Sequence, residues 1–110
     1  MQIIQIGKDT DDYGTLYKIQ ITEGTKIETS GESQSLIFTW ERDGVKITKD
    51  DVSAKGSLRE YSTEGNTSYI IIAVTDPDEV VSYRCIITNS ITVDGITDAA
   101  ESDTYSFVLS

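Results

Sequence analysis

Apolar and polar side chains alternate with a period of two through much of this chain, while helical spacing is absent from any window longer than about ten residues. The clearest case is Val80 to Thr88, in which Val81, Tyr83, Cys85 and Ile87 point to one side of a strand and Ser82, Arg84 and Ile86 to the other. Ser35 to Glu41 repeats the pattern, with Leu36, Phe38 and Trp40 inward and Ile37 and Thr39 outward. In Thr15 to Thr22, Tyr17, Ile19 and Ile21 share a face opposite Lys18 and Gln20, and in Thr104 to Leu109, Tyr105, Phe107 and Leu109 point inward. Gln2 to Ile6 alternates poorly but is β-branched and predicts a first strand. Thr67 to Val74 is nearly all apolar. It predicts a strand with Tyr69 and Ile71 inward, Val74 closing the core, and Ile70 and Ile72 outward.

Turn chemistry separates these segments. Asp43-Gly44 predicts a tight hairpin into Val45 to Thr48. Glu23 to Ser33 reads as a long connection, and Lys49 to Gly65 as an irregular polar stretch in which Leu58 and Tyr61 anchor a short strand. Asp76-Pro77-Asp78-Glu79 forms an acidic corner, and Asp94-Gly95 falls in a long connection over residues 89–99. No internal repeat or linker composition interrupts the chain. With 110 residues, it is expected to be one all-β domain spanning residues 1–110, built on a single core.

Charge and composition then narrow the function classes. The formal net charge of −10 repels phosphate backbones, so nucleic acid is not expected as a partner. The longest apolar run, Tyr69 to Val74, is too short for a helix to cross a bilayer, and no cationic-then-apolar leader opens the chain. Met1 is compatible with a native start and with an excised domain. There is no histidine, which removes most general acid–base, triad and zinc arrangements. Cys85 is the single cysteine and sits mid-strand on the inward face, so it is expected to be a buried, inert thiol. No intradomain disulfide can form, and no oxidising compartment is required. The carboxylate groups Asp9/Asp11/Asp12, Asp50/Asp51 and Asp76/Asp78/Glu79 lie in turns and read as solvated turn residues rather than a glycosidase pair. Asp9, Asp11 and Gly14 match three positions of a calcium loop, but Tyr13 and Gln20 stand where further ligands are needed. No catalysis, cofactor or metal is expected. Asn66-Thr67-Ser68 matches a glycosylation acceptor, a three-residue pattern that recurs by chance.

Trp40, the hairpin at Asp43-Gly44, Tyr69-x-Ile71-x-x-Val74, the acidic corner and Tyr83-x-Cys85 together resemble the immunoglobulin-like superfamily over Thr15 to Leu109. The resemblance implies a two-sheet Greek-key β-sandwich of about seven strands, with Trp40, Tyr83 and Cys85 as the structural core. It implies that Ile19 or Ile21 stands where the family places the second cysteine. It also implies that the Tyr83 hydroxyl ties backbone near the acidic corner. The chain is most similar to the disulfide-free domains of tailed-bacteriophage structural proteins, where a stretch like Ile21 to Thr29 precedes a Phe-x-Trp-x-Arg-Asp-Gly strand, here Phe38 to Gly44.

That similarity implies a virion module on a tail, baseplate or capsid surface, assembled in the bacterial cytoplasm and making weak contacts with host-surface glycans. A structural or spacer domain docking on neighbouring virion subunits, and a bacterial cell-surface adhesin domain, remain open beside it. Alternation defines a candidate partner face on the outside of the sheet that carries Trp40 and Cys85. It consists of Ile37, Thr39, Arg84, Ile86 and Val108, together with Thr88 and Ser106, and is expected to form an apolar patch if the aliphatics adjoin. The loops at 23–34, 43–44 and 89–99 are left for outside ligands.

Overall fold

The computed structural model describes residues 2–8, 14–24, 30–76, 78–98 and 101–109. The described strands are β1 (Gln2–Lys8), β2 (Thr15–Thr22), β3 (Glu32–Arg42), β4 (Val45–Ile47), β5 (Leu58–Glu64), β6 (Thr67–Val74), β7 (Val81–Val93), β8 (Ile96–Thr97) and β9 (Glu101–Leu109). A single 3₁₀ turn at Lys49–Asp51 interrupts them, held by a Thr48 cap whose backbone N–H donates to Asp51.

All pairings are antiparallel. One sheet runs β1-β2-β6-β5, and the other runs β4-β3-β7 with β9, and then the short β8, on the far side of β7. This is the A-B-E-D and C′-C-F-G order of an immunoglobulin-type sandwich. Two of the tight hairpins are made by Asp-Gly pairs. Asp43 and Gly44 have φ of 48° and 81°, and Asp94 and Gly95 have 49° and 81°. Positive φ at both central residues gives the turn whose twist matches the flanking strands, which favours glycine at the second position. The second hairpin corrects the expectation of a long loop at 89–99. β7 continues to Val93 and folds back, so Val93 pairs with Ile96.

The core forms where the inward faces of the two sheets meet. It contains Ile19 and Ile21 of β2, Ile70 and Ile72 of β6 and Leu58 of β5. From the other sheet come Phe38 and Trp40 of β3, Val81, Tyr83, Cys85 and Ile87 of β7, and Phe107 of β9. Period-two reading is upheld on β2, β3, β7 and β9, with Tyr17, Leu36 and Tyr105 half-buried against the core. The side chain of Leu109 lies outside the described residues. Strand β6 has the opposite facing to the one read from its sequence. Ile70 and Ile72 are buried and Tyr69 and Ile71 face outward.

Ser68 explains the reversal. Its side chain is fully buried, and its hydroxyl accepts the Trp40 indole N–H at 2.8 Å from the opposing sheet. The same hydroxyl donates to the Ser62 carbonyl at 3.0 Å and lies 2.9 Å from the Thr63 hydroxyl. A serine hydroxyl has one proton to give and two lone pairs. With Trp40 and Thr63 donating and Ser62 accepting, it is fully used. A small polar residue that holds a buried indole partner turns inward, and the alternation it starts puts Ile70 and Ile72 in the core. The sequence Tyr69-Ile70-Ile71-Ile72 has no polar alternation to oppose that register.

The end of β2 is fastened to the β5–β6 turn. Glu23 N–H donates to the Asn66 carbonyl at 2.8 Å, and the Asn66 side-chain amide donates to the Glu23 carbonyl at 2.8 Å. The glycosylation-like triplet therefore has its asparagine amide engaged and its serine buried.

Replacing Ser68 with Ala leaves the Trp40 N–H buried without an acceptor and is expected to cost about 1–3 kcal/mol. Replacing Trp40 with Ala removes the bond and the core volume together and is expected to cost about 3–5 kcal/mol. Urea denaturation of both variants reads these values; an S68A protein as stable as the parent would show that the inter-sheet bond contributes nothing.

Candidate interaction surfaces

Trp40 and Cys85 are directly opposed cross-strand partners on β3 and β7, and both are fully buried. Burial pushes the Cys85 thiol up to about 12 from its ordinary 9.0, against a smaller opposing pull from a backbone hydrogen bond at Thr39. The thiolate is thus suppressed, and with it the form that attacks or ligates. Tyr83 is buried and stacks on Phe107, with ring centroids 5.4 Å apart and planes within 8°.

Arg42 stands between Tyr83 and the acidic corner. It is the cross-strand partner of Tyr83, and its guanidinium meets the Glu79 carboxylate at 3.3 Å. Burial holds the phenol above its ordinary pKa although Arg42 pulls the other way. The buried Nε–H of Arg42 has no partner among the described residues. Beside it a cleft of about 150 Å³ opens between the sheets, lined by Arg42, Lys55, Ala73, Glu79, Val81 and Tyr83 among others. Ligand pockets occupy roughly 300–1,000 Å³, so this cleft is too small for one.

The expected partner face exists, but its apolar residues do not form one patch. Ile37, Thr39, Arg84, Ile86 and Val108 share the outer surface of the β4-β3-β7-β9 sheet. Ile37 and Val108 are each 59% exposed, and Ile86 is half-buried. Register decides their spacing. Thr39 pairs with Ile86 and Ile37 with Thr88, so the two isoleucines are diagonal neighbours. Val108 pairs with Ser82, two cross-strand rows from Ile86.

The row between holds Glu41, Arg84 and Ser106. There Arg84 grips Glu41 with Nη2 at 2.6 Å and Nε at 2.7 Å from the same carboxylate oxygen. The Glu41 side chain is only 12% exposed, so this ion pair is a fixed polar bar across the sheet. Arg84 is therefore engaged within its own sheet.

A second surface, missed in the sequence, lies on the outside of the β1-β2-β6-β5 sheet. Once Ser68 turns inward, Tyr69 must turn outward. Its hydroxyl donates to Glu60 at 3.1 Å, and the Lys18 ammonium stands 4.3 Å from its ring centroid. The Glu60 carboxylate, first as hydrogen-bond acceptor and then as a nearby charge, raises the phenol's pKa. Open grooves flank the ring on both sides. One, of about 400 Å³, is lined by Gln20, Ser62, Glu64 and Thr67; the other, of about 350 Å³, by Lys49, Val52, Arg59, Glu60 and Tyr61. The only sequence signal for this surface was the outward placement of Lys18 and Gln20 on β2.

Turn carboxylates hold backbone. Asp43 accepts Ser82 N–H at 3.0 Å, Asp76 accepts Asp78 N–H at 2.9 Å, and Asp51 caps the 3₁₀ turn. Among the described residues, no three His, Cys, Asp or Glu side chains gather in a way that could hold a metal ion. Asp9, Asp11 and Asp12 of the calcium-like stretch lie outside those residues. Of the loops proposed for ligands, residues 25–29 and Ala99 lie outside them as well. No helix among the described residues is long and apolar enough to cross a membrane.

Comparison of the chain with protein-family models, with curated proteins and with solved structures gives no match.

The Cys85 thiol predicts an alkaline signature. Its folded-state pKa is raised, so the folded protein keeps a proton that the unfolded chain releases above about pH 9. This contribution to stability is complete below pH 9 and is lost as pH climbs toward 12. Cys85→Ala is expected to lose stability less steeply than the parent between pH 9 and 11, in denaturation curves collected across that range. Parallel pH profiles for the two proteins would refute the buried-thiol assignment.

Proposed function

We propose that this chain is a non-catalytic immunoglobulin-like recognition module of a tailed-phage virion protein, carried on a tail, baseplate or capsid surface, where it makes weak contacts with host-surface glycans. The observation that carries the contact is the outward Tyr69 with its two open grooves. A sugar presents hydroxyls beside flat C–H faces. Gln20, Ser62, Glu60, Glu64 and Thr67 supply donors and acceptors around an aromatic ring, and the grooves are shallow enough that affinity per site stays low. Display of many copies on one particle converts such contacts into firm attachment.

Two further features support a virion setting. The sandwich is held by the Trp40–Ser68 bond and a thiol-only core, so it does not depend on oxidation and suits assembly in the bacterial cytoplasm. The family-like Phe38 to Gly44 strand and turn is formed by β3, the Asp43-Gly44 turn and the start of the β3–β4 hairpin. Docking on neighbouring virion subunits is a second reading, favoured by the exposed Ile37 and its diagonal neighbour Ile86 on the opposite face.

A glycan array probed with multimerised parent protein and with Tyr69→Ala tests the first reading. Binding to a defined set of bacterial surface glycans, lost in Y69A at unchanged melting temperature, is the expected outcome. No binding, or equal binding by both proteins, would overturn it.

A further inference from the structure

Positive charge is scarce in this chain, where 19 Asp and Glu outnumber 9 Lys and Arg. Around Tyr69 the balance reverses. Lys49 and Arg59 line one groove together with Glu60, and the Lys18 ammonium stands over the ring itself. Glu64 lines the other groove. Among the described residues at this surface, Lys18, Lys49 and Arg59 thus face only Glu60 and Glu64. The Glu60 carboxylate already accepts the Tyr69 hydroxyl, and Asp51, two residues from Lys49, is turned back onto Thr48 N–H.

Strand register brings these cations together. Lys18 and Glu60 both pair with Ile71, from β2 and β5 respectively. Tyr69 lies in the adjoining row between Gln20 and Ser62, so its side chain reaches diagonally to the lysine and the glutamate. Successive strand residues ordinarily face opposite ways. Arg59 and Glu60 nevertheless line one groove, at the point where the β5–β6 register shifts between Leu58 and Glu60.

We propose, resting on the glycan reading of this surface, that its ligand is an anionic glycan whose sugar carboxylate or phosphate sits in the Lys49–Arg59 groove. Lys18, beside the ring, supplies the second positive contact. The neighbouring sugar lies against Gln20, Ser62 and Thr67, whose amide and hydroxyls both donate and accept. A neutral sugar covering these cations strips their water and returns no charge, whereas an oxyanion returns charge-assisted hydrogen bonds. The overall charge of −10 does not forbid this. At about 0.15 M salt the Debye length is roughly 8 Å, so carboxylates on the far sheet are largely screened while cations lining the groove are not.

A glycan array in about 0.15 M NaCl, carrying uronate-bearing, phosphodiester-linked and neutral bacterial glycans, tests the assignment with multimerised protein. The uronate glycans are printed both in native form and with the carboxylate reduced to an alcohol. Binding confined to the anionic sets is expected. Loss on reduction identifies a carboxylate ligand, and binding to the phosphodiester set identifies a phosphate.

Arg59 is kept in the variants because its Nε–H also donates to the Gly56 carbonyl at 2.6 Å. K18Q/K49Q is expected to bind anionic glycans about tenfold more weakly than the parent at unchanged melting temperature. Lys49 is exposed, so Lys49→Glu reverses one groove charge without touching the core and is expected to weaken binding at least as much. Full-strength anionic binding by either folded variant overturns the proposal. Binding of neutral glycans that Y69A abolishes and K18Q/K49Q leaves intact also overturns it, while the recognition reading stands. No binding to any glycan overturns both.

Discussion

The two sheets of this molecule, whose single cysteine forms no disulfide, are joined by a buried hydrogen bond between β3 and β6. The Trp40 indole crosses the core to the Ser68 hydroxyl, which is itself fixed to the β5–β6 hairpin through Ser62 and Thr63. Every proton and lone pair of that hydroxyl has a partner, so a polar group sits in the dry centre without the cost of an unmet bond. Such a bond is directional. It fixes how far apart the sheets stand and how β6 is rotated, which hydrophobic contact alone leaves loosely specified.

Rotation of β6 has a consequence on the surface. Putting Ser68, Ile70 and Ile72 inside places Tyr69 and Ile71 outside, because successive residues of a strand alternate. The outward placement of the Tyr69 ring on that sheet is thereby a by-product of how the core is pinned. Lys18 over the ring and Glu60 at its hydroxyl then hold it in one orientation. Core packing and the outward Tyr69 surface are thus two faces of one constraint.

The opposite sheet shows how polar bars limit adhesion. Exposed aliphatics at Ile37 and Val108 look, by identity alone, like parts of a docking patch. The Glu41–Arg84 pair, nearly buried on its acidic side, separates them.

Strand facing was legible wherever one side of a strand meets water. In β2, β3, β7 and β9 the polar residues mark the solvent side, and the inward sets containing Trp40, Tyr83, Cys85 and Phe107 follow from period two alone. The Asp43-Gly44 hairpin was equally local, since two residues with positive φ carry their own signature. Strand β6 was not legible. Its central apolar run offers no polar mark, and its register was decided by a partner 28 residues away in the other sheet. The same holds for the bar between Ile86 and Val108. Each depends on which residues stand opposite one another across strands, a non-local pairing that tertiary structure fixes and local composition does not encode.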